Sequence, residues 1–276
     1  MPELPEVETV RRGLQPVLEG QTIEAMVLRR RDLRWPIPEG LAAAAQGQSI
    51  AAVTRRGKYI LVEFRSGAGL LVHLGMSGRV LIHAQGAPEP GKHDHWDLTT
   101  AVGTCIRFHD PRRFGSLDFV PAEGWETHAL LRDMGPEPLT NQFDGPLLGA
   151  RLAGRRTPIK AALLDQRVVA GLGNIYVCEA LYRAGLSPRR QAHTVAGARA
   201  DRLAEAIRAV LNDAIAAGGS TLRDYRAADG DLGYFQYQFS VYGREGAPCP
   251  GCDCGNGVQR LVQSGRSTFY CPKRQR

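Results

Sequence analysis

Between Gln21 and Val120 the apolar positions fall in short, β-branched runs broken by turn residues: TIEAMVLRR, SIAAVTRR, KYILVEF, GLLVHLG, RVLIH, HWDLTT, TCIRFHD and SLDFV. Runs of this length at regular spacing predict an antiparallel sandwich or barrel. Ahead of them, residues 5–18 predict a helix, with Pro5 tolerated in its first turn, Gly20 as its stop and Pro16 weakening or kinking its end. After the turn-rich GPEPL at 135–139 the pattern becomes helical. Leu203, Ile207, Val210, Leu211, Ala214 and Ile215 recur at helical spacing behind Thr194 until Gly218 and Gly219 end the run, which reads as a core-facing stripe. A shorter helix is expected after the GLGN turn at 171–174. Two helices separated by several turns suit the gripping of a phosphate backbone.

Composition narrows the class. The chain has 276 residues, 43% hydrophobic and 23% charged, enough to fold around a core without disulfide staples. No apolar run approaches the roughly 20 residues that span a bilayer, and MPELPEVETV is acidic and proline-rich, the reverse of a signal peptide, so a cytosolic protein without a membrane partner is expected. The net charge of +7 favours a polyanionic partner such as nucleic acid, although on charge alone a merely basic enzyme fits equally well.

The six cysteines are unevenly distributed. Cys105 and Cys178 stand alone in apolar surroundings and read as buried small hydrophobes. Cys249, Cys252, Cys254 and Cys271 crowd into the tail, where a reducing compartment favours metal ligation over disulfides. With Arg260, Arg266, Lys273, Arg274 and Arg276 against Asp253, that tail is itself basic.

Proline at position 2 permits removal of the initiator Met and would leave a free secondary amine. Such an amine loses its proton more readily than lysine, and an iminium formed from it on a sugar C1′ cannot shed its charge through an N–H, which makes it a lasting electron sink. Glu3 beside it could donate a proton to the opening ring. Taken alone, PELPE is also an ordinary acidic helix start.

The segments MPELPEVETVRRGL, RRGKYILVEF, HLGMSGR, KHDHWDL, DPRRFG, TPIKAALLDQ, GLGNIY, GGSTLRDY, VYGR and GRSTFYC occur in order from residue 2 to about residue 271. Together they resemble bacterial formamidopyrimidine-DNA glycosylase. The resemblance implies an α+β chain: an N-terminal antiparallel β-sandwich catalytic domain with a flanking helix (1–130), a helix-two-turns-helix DNA-binding domain (131–238) and a small β-hairpin, zinc-finger-like module (239–276). It implies Pro2 as Schiff-base nucleophile, Glu3 as proton donor, Lys58 in β-elimination and Arg266 as a phosphate-gripping arginine linked to δ-elimination. Base extrusion leaves a hole in the stack. Met76, Arg112 and Phe114 match the family's inserted residues: an apolar plug, an arginine for the orphaned base and an aromatic wedge. Singly, Met76 and Phe114 would read as core and Arg112 as a solvated turn charge. His93, Arg156, Lys160 and Asn174 match positions that touch DNA or the lesion. His93 and His95, two apart, also admit a weak metal reading.

The tail departs from the family's two CxxC pairs. Cys271 is followed by Pro272 and Lys273, with Arg274 where the fourth cysteine is expected, while CPGCDC carries the extra thiol of Cys254. Zinc needs four soft ligands and is indifferent to their chain order, so one Zn2+ held by Cys249, Cys252, Cys254 and Cys271 is expected. A three-thiolate site or a metal-free finger stays open, and loss of zinc would threaten the placing of Arg266. The expectation is a monomeric, cytoplasmic, nucleoid-associated enzyme that removes oxidised purines from damaged duplex DNA and cuts the strand by β,δ-elimination. The alternatives are an endonuclease VIII-like glycosylase for oxidised pyrimidines and a non-catalytic damaged-DNA-binding zinc-finger protein.

Overall fold

The computed structural model describes residues 2–220 and 233–276. Part of the GGSTLRDY motif lies outside the described residues. The chain forms two compact units, Met1–Asp133 with Ala217–Tyr234, and Met134–Ala216 with Phe235–Arg276.

In the first unit, α1 (Leu4–Leu18) precedes β1 (Ile23–Leu28), the short α2 (Leu41–Ala45) and strands β2 (Ile50–Arg56), β3 (Tyr59–Phe64), β4 (Gly69–His73), β5 (Arg79–His83), β6 (Asp94–Thr100), β7 (Cys105–His109) and β8 (Ser116–Val120). Each apolar run of the sequence becomes one strand. They form two four-stranded antiparallel sheets, ordered β1-β6-β7-β5 and β2-β3-β4-β8. Val53, Ile60, Val62, Phe64 and Leu70 of one sheet share a single core with Ile23, Val80, Trp96, Ile106 and Phe108 of the other. This is the sandwich rather than the barrel. β3 alternates half-buried and buried positions, whereas β4 is buried through its first four residues because both its faces are covered.

α1 closes one side of that core with Val7, Val10, Leu14 and Leu18, one face at helical spacing. Pro16 does not break it; the helix continues to Leu18, since in the last turn the missing N–H removes one bond from a ladder about to end. Gly20 then takes φ +81°, the left-handed conformation that ends helices.

The second unit holds α3 (Gly145–Leu152), α4 (Ile159–Leu164), α5 (Asn174–Arg183), α6 (Ala198–Ala216) and the hairpin β9 (Gln259–Gln263) to β10 (Arg266–Tyr270). The stripe from Leu203 to Ile215 is buried, and Gly218 and Gly219 stop the chain at φ +74° and +83°. The start of α6 differs from expectation. Thr194 closes a short 3-10 turn by donating to the Gln191 carbonyl, and Gly197 at φ +52° separates that turn from the helix. The tail shares a core with α5, since Cys178 and Tyr182 pack with Val241, Val258 and Cys271. No described helix is long and apolar enough to cross a membrane.

Inside this unit the carboxylate of Glu179 is fully buried on α5 and accepts the backbone N–H groups of Ser240 (2.8 Å), Val241 (2.9 Å) and Tyr242 (2.8 Å). Three donors on one carboxylate offset its desolvation and fold the segment after α6 back onto α5. Replacing Glu179 by Gln turns one acceptor oxygen into a donor facing N–H groups. The variant should lose about 2 kcal/mol in urea unfolding; an unchanged midpoint would show that the segment is held elsewhere.

Candidate functional site

The register of the second sheet gathers the candidate residues of the first unit. Tyr59 pairs with His73 and His73 with Ser116, so the Gly57–Lys58 turn, the loop after β4 and the loop before β8 emerge at one end of the sheet. α1 points its start the same way: Gly20 donates to the Ile50 carbonyl at the far end of β2, while Glu8 takes Arg55 Nε at 3.1 Å near the turn. Pro2, Glu3, Lys58, Met76, Arg112 and Phe114 are thereby brought to one edge of a single unit.

Pro2 and Glu3 are buried ahead of α1, with Glu3 at the N-cap position. Glu6 anchors them. Its Oε2 accepts the Glu3 N–H at 2.8 Å, and its Oε1 accepts the N–H and hydroxyl of Ser220 at 2.8 and 3.0 Å. Sequence reasoning missed Glu6, though an acidic residue three places after an N-cap is the signal of a capping box.

His73 was also missed. Its Nδ1 accepts the Gly75 N–H at 2.9 Å, which leaves the ring proton on Nε2, and its ring lies 4.8 Å from that of Tyr59. Burial, then the charges of Lys58 and Arg34, push its pKa down to about 4. The result is a neutral imidazole beside a cationic lysine.

The two loops that carry the expected insertion residues are locked backbone to backbone. A Cβ on Gly75, at φ +65°, would lie 2.3 Å from backbone atoms of Phe114 and Gly115, so only glycine allows the approach. Asp110, fully buried, accepts the Ser77 hydroxyl at 2.6 Å, the Gly115 N–H at 2.8 Å and the Arg112 N–H at 3.3 Å. Above this anchor Met76 is 37% and Phe114 42% exposed, and the Arg112 guanidinium sits 4.8 Å from the Phe114 ring centre. Two exposed apolar side chains and an arginine on a rigid base can enter a base stack, a job that core residues could not do.

The metal reading of the His93 segment fails on its contacts. His95 is buried with Nε2 2.7 Å from the Asp110 carbonyl, and Asp94 binds His109 Nδ1 and the Gly91 N–H. His93 is half-buried and lies edge-on to His109.

In the second unit Arg156 and Arg266 are exposed. Arg266 opens β10 beyond the two-residue turn Ser264–Gly265, both at positive φ as a type I′ hairpin requires. Lys160, expected at a DNA contact, is held inside the unit. It is fully buried, and its ammonium donates to Thr268 Oγ1 at 2.7 Å and to the Ser267 carbonyl at 3.1 Å. Asn174 Nδ2 donates to the same carbonyl at 2.9 Å, while its buried Oδ1 has no partner among the described residues. Both residues therefore hold the strand that carries Arg266. Gln166, overlooked in the sequence, pins the GLGN turn by donating to the Leu172 carbonyl and accepting the Gly171 N–H.

Among the described residues the cluster able to hold a metal is Cys249, Cys252, Cys254 and Cys271, with sulfurs all within 4.8 Å of one another. Cys252 and Cys254 lie 3.5 and 3.6 Å from Cys271. Thiolates around a tetrahedral zinc at about 2.3 Å stand about 3.8 Å apart, so the four sulfurs fit such an ion. Cys105 is buried in the first unit, and Cys178, buried on α5, packs against the cluster without being one of its four thiols.

Two family models match the chain: the formamidopyrimidine-DNA glycosylase N-terminal domain over residues 1–117 and the formamidopyrimidine-DNA glycosylase H2TH domain over residues 134–226. Formamidopyrimidine-DNA glycosylase of Cereibacter sphaeroides is 57% identical over the whole of both chains, and that of Paracoccus denitrificans 58% over 99% of each. Among solved structures, the MutM (Fpg) protein of Thermus thermophilus is 45% identical with a TM-score of 0.86, covering 99% of this chain and 98% of its own. A Lactococcus lactis Fpg variant bound to DNA containing Fapy-dG is 35% identical with a TM-score of 0.89 over all of both chains. MutM in complex with DNA containing carbocyclic 8-oxo-G matches at 35% and 0.88, also over all of both.

The depressed pKa of His73 has a direct readout. An unfolded imidazole titrates near 6.5 and this one near 4, so between those values the unfolded chain binds the additional proton. The contribution of His73 to stability is complete above about pH 6.5 and is lost as the pH falls toward 4. Comparison of histidine NMR titrations of wild type and His73→Gln should find the His73 resonance unmoved down to about pH 5; titration near 6.5 would contradict this environment.

Proposed function

The chain belongs to the formamidopyrimidine-DNA glycosylase family, and we propose that it excises 8-oxoguanine and formamidopyrimidines from damaged duplex DNA and then cuts the strand through an imine on the Pro2 amine. The observation that carries this reading is the gathering of Pro2, Glu3 and Lys58 with Met76, Arg112 and Phe114 at one edge of the first unit. With Met1 removed, the Pro2 nitrogen lone pair forms the bond to C1′ as the glycosidic bond breaks and the base leaves. Glu3 supplies the proton that opens the sugar ring. The resulting iminium draws electrons from C2′: loss of a C2′ proton expels the 3′ phosphate, and a second elimination expels the 5′ phosphate. Lys58, next to neutral His73, serves the first elimination, and the Arg266 guanidinium holds phosphate oxygens for the second.

Met76, Arg112 and Phe114 fill the space of the extruded nucleotide, with Arg112 at the orphaned base. His93 and Arg156 contact DNA, while Lys160 and Asn174 act through the hairpin they hold. Residues 1–130 carry the catalysis, 131–238 bind the duplex, and 239–276 form the finger. Zn2+ fits the thiolates of Cys249, Cys252, Cys254 and Cys271; bound there it supplies a cross-link that fixes the base of the finger. The protein works as a monomer at the nucleoid of its cytoplasm.

Borohydride trapping on a duplex with one 8-oxoguanine opposite cytosine should give a covalent adduct mapping to Pro2. Glu3→Gln should abolish base excision, and full excision by that variant would remove Glu3 from its role. Trapping on an oxidised-pyrimidine duplex in place of the purine duplex would favour the endonuclease VIII-like alternative. Binding without any adduct would favour a damage sensor.

For the hairpin, Lys160→Met should cut δ-elimination product on abasic DNA by about 10- to 100-fold relative to β-elimination product, because a phosphate clamp displaced by about 1 Å loses its alignment. A product ratio equal to wild type would show that Arg266 does not depend on Lys160.

A further inference from the structure

Arg274 stands three residues after Cys271 and contributes no sulfur, yet it is built into the surroundings of the thiols. Its guanidinium carbon lies 5.0 Å from the centre of the Tyr182 ring, and its Nη1 donates to the Gly251 carbonyl at 3.3 Å, within the CPGCDC loop. Tyr182, on α5, in turn brings its hydroxyl to 3.4 Å from Cys249 Sγ, within hydrogen-bond range for sulfur. Gly251 fits against both: a Cβ there would fall 2.5 Å from Arg274 Nη1 and 2.6 Å from Tyr182 Oη. A continuous chain of contacts therefore runs from the loop backbone through guanidinium and phenol to a ligand sulfur.

Four thiolates on a divalent cation leave a net charge of two minus in a partly buried site. Such charge is stabilised by a donor on sulfur and by a fixed cation nearby, and groups of this kind orient ligands and tune metal affinity. We propose that Tyr182 and Arg274 are the outer layer of the metal site, with Arg274 replacing a ligand by a counter-charge while Cys254 supplies the fourth sulfur. Tyr182 donates its O–H to the Cys249 thiolate; Arg274 stacks on that ring and holds the Gly251 carbonyl, so the phenol cannot turn away. Arginine suits the position because its plane can stack and hydrogen-bond together, which an ammonium cannot do. Both are positioning residues. The inference rests on the reading of a four-thiolate site.

The test uses full-length protein stripped of metal and titrated with Co2+, then with Zn2+ against a chelator. Wild type should bind one metal per chain with a sulfur-to-cobalt charge-transfer band, and Cys254→Ser should lose the four-sulfur spectrum and most of the affinity. Tyr182→Phe removes one oxygen without changing packing, so it should fold; it should shift the band and weaken Zn2+ binding about 10-fold, in the range seen for such outer partners. Arg274→Ala should weaken binding similarly, and Arg274→Lys should recover it only in part. Tyr182→Phe and Arg274→Ala with wild-type affinity and spectrum, beside a defective Cys254→Ser, would overturn the outer layer and leave the four-thiolate site standing. A wild type that binds no metal, or a Cys254→Ser variant that binds normally, would overturn both.

Discussion

A side chain that must enter a DNA stack or close on a phosphate has to be exposed, and an exposed side chain cannot hold itself in place. Several of the described residues that could touch DNA depend on a polar group buried beneath them. Met76, Arg112 and Phe114 project from loops that converge on Asp110, which takes a hydroxyl and two backbone N–H groups. Glu3 is positioned by Glu6, Arg266 by a strand fixed to Lys160 and Asn174, and the segment at Ser240–Tyr242 by Glu179.

The alternative would be apolar packing under each loop, and the geometry shows why it does not serve. The loops are short, and their backbones come close enough that Gly75 has no room for a methyl group, which leaves unpaired N–H groups facing inward. Apolar side chains would leave those donors without acceptors, at about 1–3 kcal/mol each. One carboxylate answers two or three of them together, and its own desolvation, worth several kcal/mol, is offset only because each oxygen is occupied. The resulting anchors fix direction as well as position, since charge-assisted bonds are short and directional. Rigid loops carrying exposed tips are the consequence.

Elements governed by local pattern were legible in the sequence. The eight strands and the α6 stripe follow from periodicity, and the thiol cluster follows from composition and spacing. The anchors were not legible, because their partners are far along the chain. Lys160 was placed at DNA by the family resemblance, and its bonds to the hairpin were hidden because Ser267 and Thr268 are 107 and 108 residues away. Glu179 offers one clue, a lone acid in the apolar run NIYVCEALYR, but the three N–H groups that it serves begin 61 residues later. Thr194 stands ahead of the helical stripe in the sequence, and only the positive φ of Gly197 moves the helix start onward.

The finger combines both kinds of support, and this changes what a metal bound at its thiols would have to do. From the sequence, a closed metal site was the evident means of ordering so short a hairpin, which made the placing of Arg266 hostage to four thiolates. In the structure the hairpin is tied independently, by Lys160 and Asn174 to Ser267 and Thr268, and by Gln263 Nε2 to the Pro188 carbonyl. The thiols lie beyond the strands, at Cys249–Cys254 before β9 and Cys271 after β10. Hydrogen bonds therefore set the direction of the strand beside Arg266, while the sulfur cluster holds the two ends of the hairpin together. A chain whose ligand order has been altered can keep its arginine in place under this division, because the change falls on the part that closes the loop and not on the part that aims it.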